Sequence, residues 1–251
     1  FPYTTLFRSV PLHRRQNNPR SLPIRRSAHT LRDMQQVALV SGIRTPFAKA
    51  GTAMSDLPAH ELGRIAVQEL LERTRTDPGS IDEVIFGNVA QPMEATNIAR
   101  VIALTAGLPL SVSAHTVSRN CESGLQAIAT GYDLIRSGRA HAVLVGGTES
   151  MSNIPLIFPK SMANFLGSLS AARSTGQKLA VLTRLRPSMF KPIIALLEGL
   201  KDPFCGLNMG ETAEVLAKEF RISREAQDRF ALESHQRAVA ATESGRLAQE
   251  M

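Results

Sequence analysis

Cys121 is the residue whose type and surroundings best suit chemistry. A β-like stretch at residues 115–117 precedes it, and apolar residues at helical spacing follow from Leu125, so its thiol is predicted to lie at a strand-to-helix turn. The N-terminus of a helix carries about half a positive charge and several unpaired N–H groups, which together stabilise a thiolate. Cys121 is therefore a candidate nucleophile.

The other polar residues have no comparable setting. Cys205 is interpreted as structural or incidental, and no chemistry is assigned to Glu149, which follows a Gly-Gly pair. Four histidines lie in no recognisable catalytic motif: His60, His115, His141 and His235. No metal site is predicted, and two cysteines make no disulfide framework, which favours a reducing compartment.

Strand and helix patterns alternate on both sides of Cys121. Apolar runs predict strands at 37–40, 84–89 and 142–145, the last buried on both faces. Helical spacing of apolar residues predicts helices from Ser55 or Asp56 to about 77, over 98–106, and from 125 to about 138. This alternation indicates an α/β fold with a mainly parallel sheet.

The pattern changes after about Ser152. Residues 160–201 carry seven basic side chains against one acid, with apolar residues interleaved at amphipathic helical spacing. Two further helices are predicted at 212–220 and 223–243, the second with Ser223 as its N-cap. We therefore predict an α/β core over residues 35–152 and a mainly helical inserted domain over residues 153–251.

The formal charge of +7 belongs mostly to residues 1–34, which hold seven arginines and one acid. Without them, 22 basic and 21 acidic residues remain, so the body of the chain is nearly neutral and nucleic-acid binding is not expected. Four prolines and no sustained periodicity predict a disordered basic tail over residues 1–34 that is not part of the fold. We also expect the natural start to be Met34, directly before the first strand.

Five segments, in order, resemble the thiolase family. The run Asn-Cys-Glu-Ser-Gly-Leu-Gln-Ala at 120–127 is similar to the family's acyl-accepting cysteine segment. The runs Gly-Gly-Thr-Glu-Ser-Met-Ser at 146–152 and Asn-Met-Gly-Glu-Thr-Ala-Glu at 208–214 are similar to two further family segments. Residues 42–47 and 223–228 match as well. One such match is weak, but five in sequence over residues 36–251 are specific.

The resemblance implies a thiolase-like α/β fold, in which two similar halves form a five-layer αβαβα sandwich with a loop domain inserted in the first half. This chain then corresponds to the first half with its inserted, mainly helical loop domain. The family's second half supplies Gly-His-Pro, Asn-Glu-Ala-Phe and Cys-x-Gly-Gly-Gly segments, and none of these strings occurs here. We expect the chain to be truncated before that C-terminal half.

By the same resemblance, Cys121 is the catalytic residue of an acyltransferase that cleaves 3-oxoacyl-CoA in fatty-acid β-oxidation, through an acyl-cysteine intermediate. Met209 matches a position that lines the family's pantetheine channel. Asn208 stands where the family often has histidine, so both are candidate substrate-binding residues. No cofactor is implied, because coenzyme A is a substrate. Without the second half, we expect the chain alone to be inactive.

Acyl-CoA and CoA are the implied small-molecule partners, and the family implies a homodimer or homotetramer. Residues 171–179 are similar to an insertion in long-chain members such as the β subunit of the trifunctional fatty-acid oxidation complex, which suggests a complex with a hydratase/dehydrogenase subunit. The basic residues of 160–201 suggest either a solvated helix face or docking to a membrane surface. The expected location is the bacterial cytoplasm, with the mitochondrion as the alternative.

Three other functions stay open on these residues. The first is an acetyl-CoA acetyltransferase working in the condensing direction. The second is a condensing enzyme of the ketoacyl-synthase type, although the Cys-Glu-Ser-Gly run at 121–124 and the loop at Met209 favour a thiolase. The third belongs to another class, a non-catalytic acyl-CoA-binding or scaffold subunit.

Overall fold

The computed structural model describes residues 3–10, as a backbone strand, and residues 36–251. The chain divides into two units, Phe1–Asn153 together with Thr242–Met251, and Ile154–Ala241. We expected the inserted domain to run to residue 251, whereas in the structure the last ten residues, Thr242–Met251, belong to the first unit. Glu250 holds them there through an ion pair with Arg44, with 3.2 Å between Nε and Oε2.

The first unit is a sheet with helices on both faces. In the described residues its strands are β1 (Tyr3–Val10), β2 (Gln36–Arg44), β3 (Glu83–Gly87), β4 (Ser113–Val117) and β5 (Ala142–Gly147). Its helices are α1 (Ala59–Thr74), α2 (Ile98–Thr105) and α3 (Ser123–Arg136). The strand order is β2-β1-β5-β3-β4, and β3 is parallel to both β4 and β5. The predicted α/β fold with parallel strands is confirmed.

Local sequence sets where the helices begin and end. Helix α2 begins after Asn97, whose side-chain oxygen accepts the N–H of Arg100 at 3.2 Å and caps the helix. Helix α1 follows Pro58, which is extended and cannot donate a hydrogen bond. It ends at Arg75, a left-handed residue with φ 50°, whose N–H reaches back to the carbonyl of Glu72.

The two faces of the sheet are buried by different helices, because successive strand side chains point to opposite sides. Val84, Phe86 and Leu144 join α1 and α2 in one apolar cluster. Ile85 and Val145 face the other way and join α3 in a second cluster. All six residues of β5 are buried, which explains why its sequence is apolar without alternation.

The structure differs from the expected tail at Tyr3–Val10, which forms β1 between β2 and β5 and is antiparallel to both. Its eight residues are mostly aromatic, β-branched or aliphatic, types that favour strands. Pro2 and Pro11 flank this run, so composition averaged over 34 residues hid a short strand. The rest of the expected tail, residues 1–2 and 11–34, lies outside the described residues.

The second unit is mainly helical. Its elements are β6 (Leu156–Ile157), α4 (Lys160–Ala171), α5 (Thr175–Leu182), β7 (Ile193–Ile194), α6 (Ala195–Gly199), α7 (Met209–Glu219) and α8 (Arg224–Glu243), the last helix crossing into the first unit. Strands β6 and β7 pair antiparallel. Within residues 154–241, Met162 and Phe165 are the only buried side chains. Across the described part of the chain, no helix has the length and apolarity needed to cross a membrane.

Truncation of Ile135 tests how α3 packs on the sheet. Ile135 is fully buried, so Ile135→Ala leaves a cavity and we expect the free energy of unfolding to fall by about 2–5 kcal/mol. Leu125 on the same helix is 63% exposed, so Leu125→Ala is expected to change it by less than about 0.5 kcal/mol. Urea denaturation followed by circular dichroism measures both, and equal losses would contradict the described packing.

Candidate active site

The structure places Cys121 in a short turn between the end of β4 and the start of α3. Val117 is the last residue of β4, Ser123 is the first of α3, and Cys121 is exposed between them. This is the strand-to-helix turn predicted from the sequence. The thiol therefore lies at the N-terminal end of a helix of 14 residues.

Ser123 holds the turn in shape. Its buried hydroxyl accepts the N–H of Arg119 at 2.8 Å and donates to the carbonyl of Asn120 at 2.6 Å. Asn120, directly before the cysteine, is left-handed with φ 49°, a conformation that asparagine adopts more readily than most residues. Two further backbone bonds close the turn, from Glu122 to Arg119 and from Ser123 to Asn120, each at 3.1 Å.

The charged side chains of this turn pair with each other. Arg119 and Glu122 form an ion pair at 3.6 Å, and Arg119 also donates to Gln126 at 2.8 Å. Both charged side chains are about two-thirds exposed, so this ion pair contributes little stability. The N-terminal end of the α3 dipole gives the turn a fixed positive potential.

Glycines at the ends of two strands let α3 approach the sheet closely. Gly147 of β5, Gly87 of β3 and Val117 of β4 lie side by side in register. A Cβ on Gly87 would lie 2.3 Å from the carbonyl carbon of Ser123 and 2.6 Å from the nitrogen of Gly124. A Cβ on Gly147 would lie 3.2 Å from the Cα of Gly124. The backbone beside Cys121 therefore rests directly on the strand ends.

A polar network links these strand ends. The buried side chain of Asn88 donates through Nδ2 to the carbonyl of Thr148 at 2.8 Å and to Oε1 of Glu149 at 3.1 Å. Oε2 of Glu149 accepts the N–H groups of Val89 at 2.9 Å and Ala90 at 3.3 Å. Glu149 is thus a residue that the sequence analysis missed. The signal was positional, since both Asn88 and Glu149 follow parallel strands, whose carboxyl ends meet at one edge of a sheet.

The orientation of the Asn88 amide is set by its neighbours. Turning it over would place Oδ1 against two acceptors, the Thr148 carbonyl and the Glu149 carboxylate. In the observed orientation Oδ1 is buried without a hydrogen-bond partner among the described residues, which costs about 1–3 kcal/mol. The network keeps this arrangement at the edge of the sheet where the Cys121 turn also lies.

The two predicted substrate-binding residues lie in the second unit. Asn208 is the N-cap of α7: its Oδ1 accepts the N–H of Glu211 at 2.9 Å, and Oε2 of Glu211 accepts the N–H of Asn208 at 2.8 Å. Met209, the first residue of α7, is 54% exposed. The role of both in substrate binding stays a prediction.

The loop before α7 contains Cys205. Oδ1 of Asp202 accepts the N–H groups of Phe204 at 2.7 Å and Cys205 at 3.0 Å. These bonds, first that from Cys205 and then that from Phe204, lower the pKa of the Asp202 carboxyl below its usual range. Cys205 is exposed in this loop, away from any helix start, so no chemistry is assigned to it.

The basic residues of the second unit lie on its surface. All seven basic residues of 160–201 are exposed: Lys160, Arg173, Lys178, Arg184, Arg186, Lys191 and Lys201. Membrane docking through them stays a prediction. Among the described residues, no group of three His, Cys, Asp or Glu side chains could hold a metal ion. A cavity of about 430 Å³ lies between residues 43–46 and α1, and Cys121 does not line it.

Alanine at Gly87 tests the close approach of α3. Because the added Cβ would meet backbone atoms of Ser123 and Gly124, we expect Gly87→Ala to lower the free energy of unfolding by about 1–3 kcal/mol. Gly124→Ala is the control, since a Cβ there meets nothing within 4 Å and alanine favours a helix by about 0.5–1 kcal/mol. Guanidinium denaturation would refute the close approach if the Gly87 variant were as stable as the control.

Comparison with known proteins covers almost all of the residues from β2 onward. Residues 37–251 match the family model described as "Thiolase, N-terminal domain". The chain is 41% identical over 216 residues to a 3-ketoacyl-CoA thiolase of Pseudoalteromonas translucida, and 42% identical over 216 residues to one of Photorhabdus laumondii. Each alignment covers 86% of this chain and 49% of the relative. The chain therefore spans about half the length of these relatives.

A solved structure gives the same result for the fold. The crystal structure of the Bacillus anthracis acetyl-CoA acetyltransferase superposes with a TM-score of 0.70 at 33% sequence identity, covering 83% of this chain and 48% of that one. The family model spans most of the chain, and the Cys121 run, the Gly-Gly run of β5 and the α7 run all lie within it. This chain belongs to the thiolase family, of which it carries the N-terminal domain.

Proposed function

We propose that this chain is the nucleophile-bearing half of a 3-ketoacyl-CoA thiolase, with Cys121 as the acyl acceptor. The observation that carries the proposal is the exposed thiol of Cys121 at the N-terminus of α3, within a family of acyl-transferring enzymes. The curated relatives named above are 3-ketoacyl-CoA thiolases, which supports this substrate class.

The proposed reaction has two steps, acyl transfer to Cys121 and then acyl transfer to CoA. In the first, the Cys121 thiolate attacks the 3-keto carbon of a 3-oxoacyl-CoA, and the bond between carbons 2 and 3 breaks. The electron pair leaves on the enolate of acetyl-CoA, which takes a proton, and the acyl group stays on sulfur as a thioester. In the second, the deprotonated thiol of CoA attacks that thioester, and the shortened acyl-CoA leaves while Cys121 returns to the thiolate.

The chain supplies only part of what these steps need. A thiolate at a helix N-terminus is a suitable attacking group, and the backbone N–H of Cys121 is a hydrogen-bond donor for the oxyanion. The steps also need a base for the thiol and an acid for the enolate. We assign these to the family segments absent from this sequence, so the second half of the longer relatives completes the site.

Met209 and Asn208 are proposed to contact the substrate through the start of α7. The exposed thioether of Met209 suits an apolar contact with pantetheine. Oδ1 of Asn208 also caps α7, so the same side chain holds Met209 at the helix start.

An acetyl-CoA acetyltransferase is the second candidate, and the fold likeness to the Bacillus anthracis enzyme of that name favours it. In an acetyltransferase working in the condensing direction, Cys121 would accept an acetyl group, whereas in the thiolase it would accept a longer acyl group. The third candidate, a non-catalytic acyl-CoA binder, forms no covalent adduct at all.

An adduct on Cys121 is the direct test of the nucleophile. Incubation of the 251-residue chain with acetyl-CoA and, separately, octanoyl-CoA is expected to give slow acylation of Cys121, seen by peptide mass spectrometry. Cys121→Ser should abolish the adduct, whereas Cys205→Ser, which changes the other exposed cysteine, should leave it. Acylation by acetyl-CoA alone would favour the acetyltransferase, and no adduct with either donor would favour the binder.

Turnover by the chain alone is expected to be absent or very slow. The reason is that general acid–base catalysis contributes roughly 10²–10⁴-fold to such reactions, and the groups that supply it are assigned to the other half. The measurement is loss of the 3-oxoacyl-CoA absorbance on addition of CoA, with Cys121→Ser as the blank. A thiolysis rate typical of whole enzymes, with kcat of roughly 1–10³ per second, would overturn this division of labour.

A further inference from the structure

Glu149 lies outside the nucleophile turn, and its hydrogen bonds reach the loop after β3, next to the residues that support that turn. We propose that Glu149 is a positioning residue for Cys121, acting through the loop that follows β3 and through the backbone on which the start of α3 rests. The inference rests on the proposed function only in treating Cys121 as the reacting group.

The first step of the path runs from Glu149 to the loop after β3. Its two carboxylate oxygens accept three donors, the Nδ2 of Asn88 and the N–H groups of Val89 and Ala90, at 2.9–3.3 Å. Thr148 adds two bonds between the same strand ends, from its N–H to the carbonyl of Gly87 at 3.0 Å and from Asn88 to its own carbonyl at 2.8 Å. One carboxylate thus fixes three consecutive residues.

The second step runs from these residues to both sides of the Cys121 turn. The N–H of Asn88 donates to the carbonyl of Val117 at 3.2 Å, at the end of the strand that leads into the turn. Gly87 lies against the backbone of Ser123, the first residue of α3. The turn between Val117 and Ser123 is therefore supported at one end by Asn88, which donates to Glu149, and at the other end by Gly87, the residue directly before Asn88.

Positioning and charge predict opposite effects, which makes the proposal testable. If Glu149 acted on Cys121 through its negative charge, removal of the carboxylate would favour the thiolate and speed its alkylation. If Glu149 holds the support in place, its removal lets the thiol move out of line with the α3 N-terminus, and alkylation slows. Cys121 is already exposed, so greater access adds little to the rate.

The experiment compares Glu149→Ala and Glu149→Gln with a matched control in the intact chain. Glutamine keeps an oxygen that can accept the Val89 and Ala90 N–H groups, but it cannot accept from Asn88 as well. Asp82→Asn is the control, because Oδ2 of Asp82 accepts the N–H groups of His141 and Ala142, at the opposite ends of β3 and β5. All three variants leave the charged neighbours Arg119 and Glu122 unchanged.

The readout is iodoacetamide alkylation of Cys121 across neutral to alkaline pH, measured by peptide mass spectrometry with Cys205 of the same molecule as internal reference. We expect Glu149→Ala to slow the alkylation of Cys121 about two- to fivefold at neutral pH, the size of a lost helix-terminus interaction. Glu149→Gln should be intermediate, and Asp82→Asn should match the unchanged chain.

Four results would overturn the proposal. The first two are an unchanged alkylation rate of Cys121 in both Glu149 variants, and an equal increase of that rate in both, which a charge effect requires. The other two are an effect of Asp82→Asn as large as that of the Glu149 variants, and a parallel change in the alkylation rate of Cys205. If Glu149→Ala does not fold, the glutamine variant alone decides the outcome. Alkylation needs no acyl transfer, so a chain that forms no acyl adduct but shows the Glu149 effect would refute the proposed function and leave this inference standing.

Discussion

The arrangement of the first unit depends on one steric constraint, the contact between the backbone of α3 and the ends of two parallel strands. At Gly87 there is no room for even one carbon atom beyond Cα, because the backbone of Ser123 occupies that space. Interiors this tightly packed transmit displacement and do not absorb it. The position of the thiol and the polar network at the sheet edge therefore belong to one contact region.

Much of this unit could be predicted from sequence because its signals are local. The uniform apolarity of β5 indicated burial on both faces, and the apolar spacing after Leu125 indicated α3. The strand-to-helix turn at Cys121 followed from the β-like stretch at 115–117 and from this helical spacing, and it needed no tertiary information. The family resemblance carried the rest of the fold, and the comparisons support it over residues 37–251.

The features that were not predicted from the sequence depend on backbone groups, on a second role of a side chain, or on a short segment within a region of different composition. The partners of Glu149 include the N–H groups of Val89 and Ala90, which every residue but proline carries, so no side-chain pattern marks them. The sequence analysis named Asn208 only for substrate binding, and the structure adds that its side chain caps α7, a role that any asparagine before a helix can take. Tyr3–Val10 was hidden because the prolines and arginines around it dominate the local composition.

Strand β1 has a consequence for the order in which the sheet can assemble. Leu6 pairs with Ser41 on one side and with Leu144 on the other, so one partner is close along the chain and the other is distant. The pairing with β2 joins residues that are nearer along the chain, whereas the pairing with β5 joins residues that are much farther apart. Because distant pairings are entropically slow to form, the middle of this sheet is expected to close last. A β1–β2 pair without β5 would have an open edge of unpaired backbone groups, and closure of the sheet by β5 removes that edge.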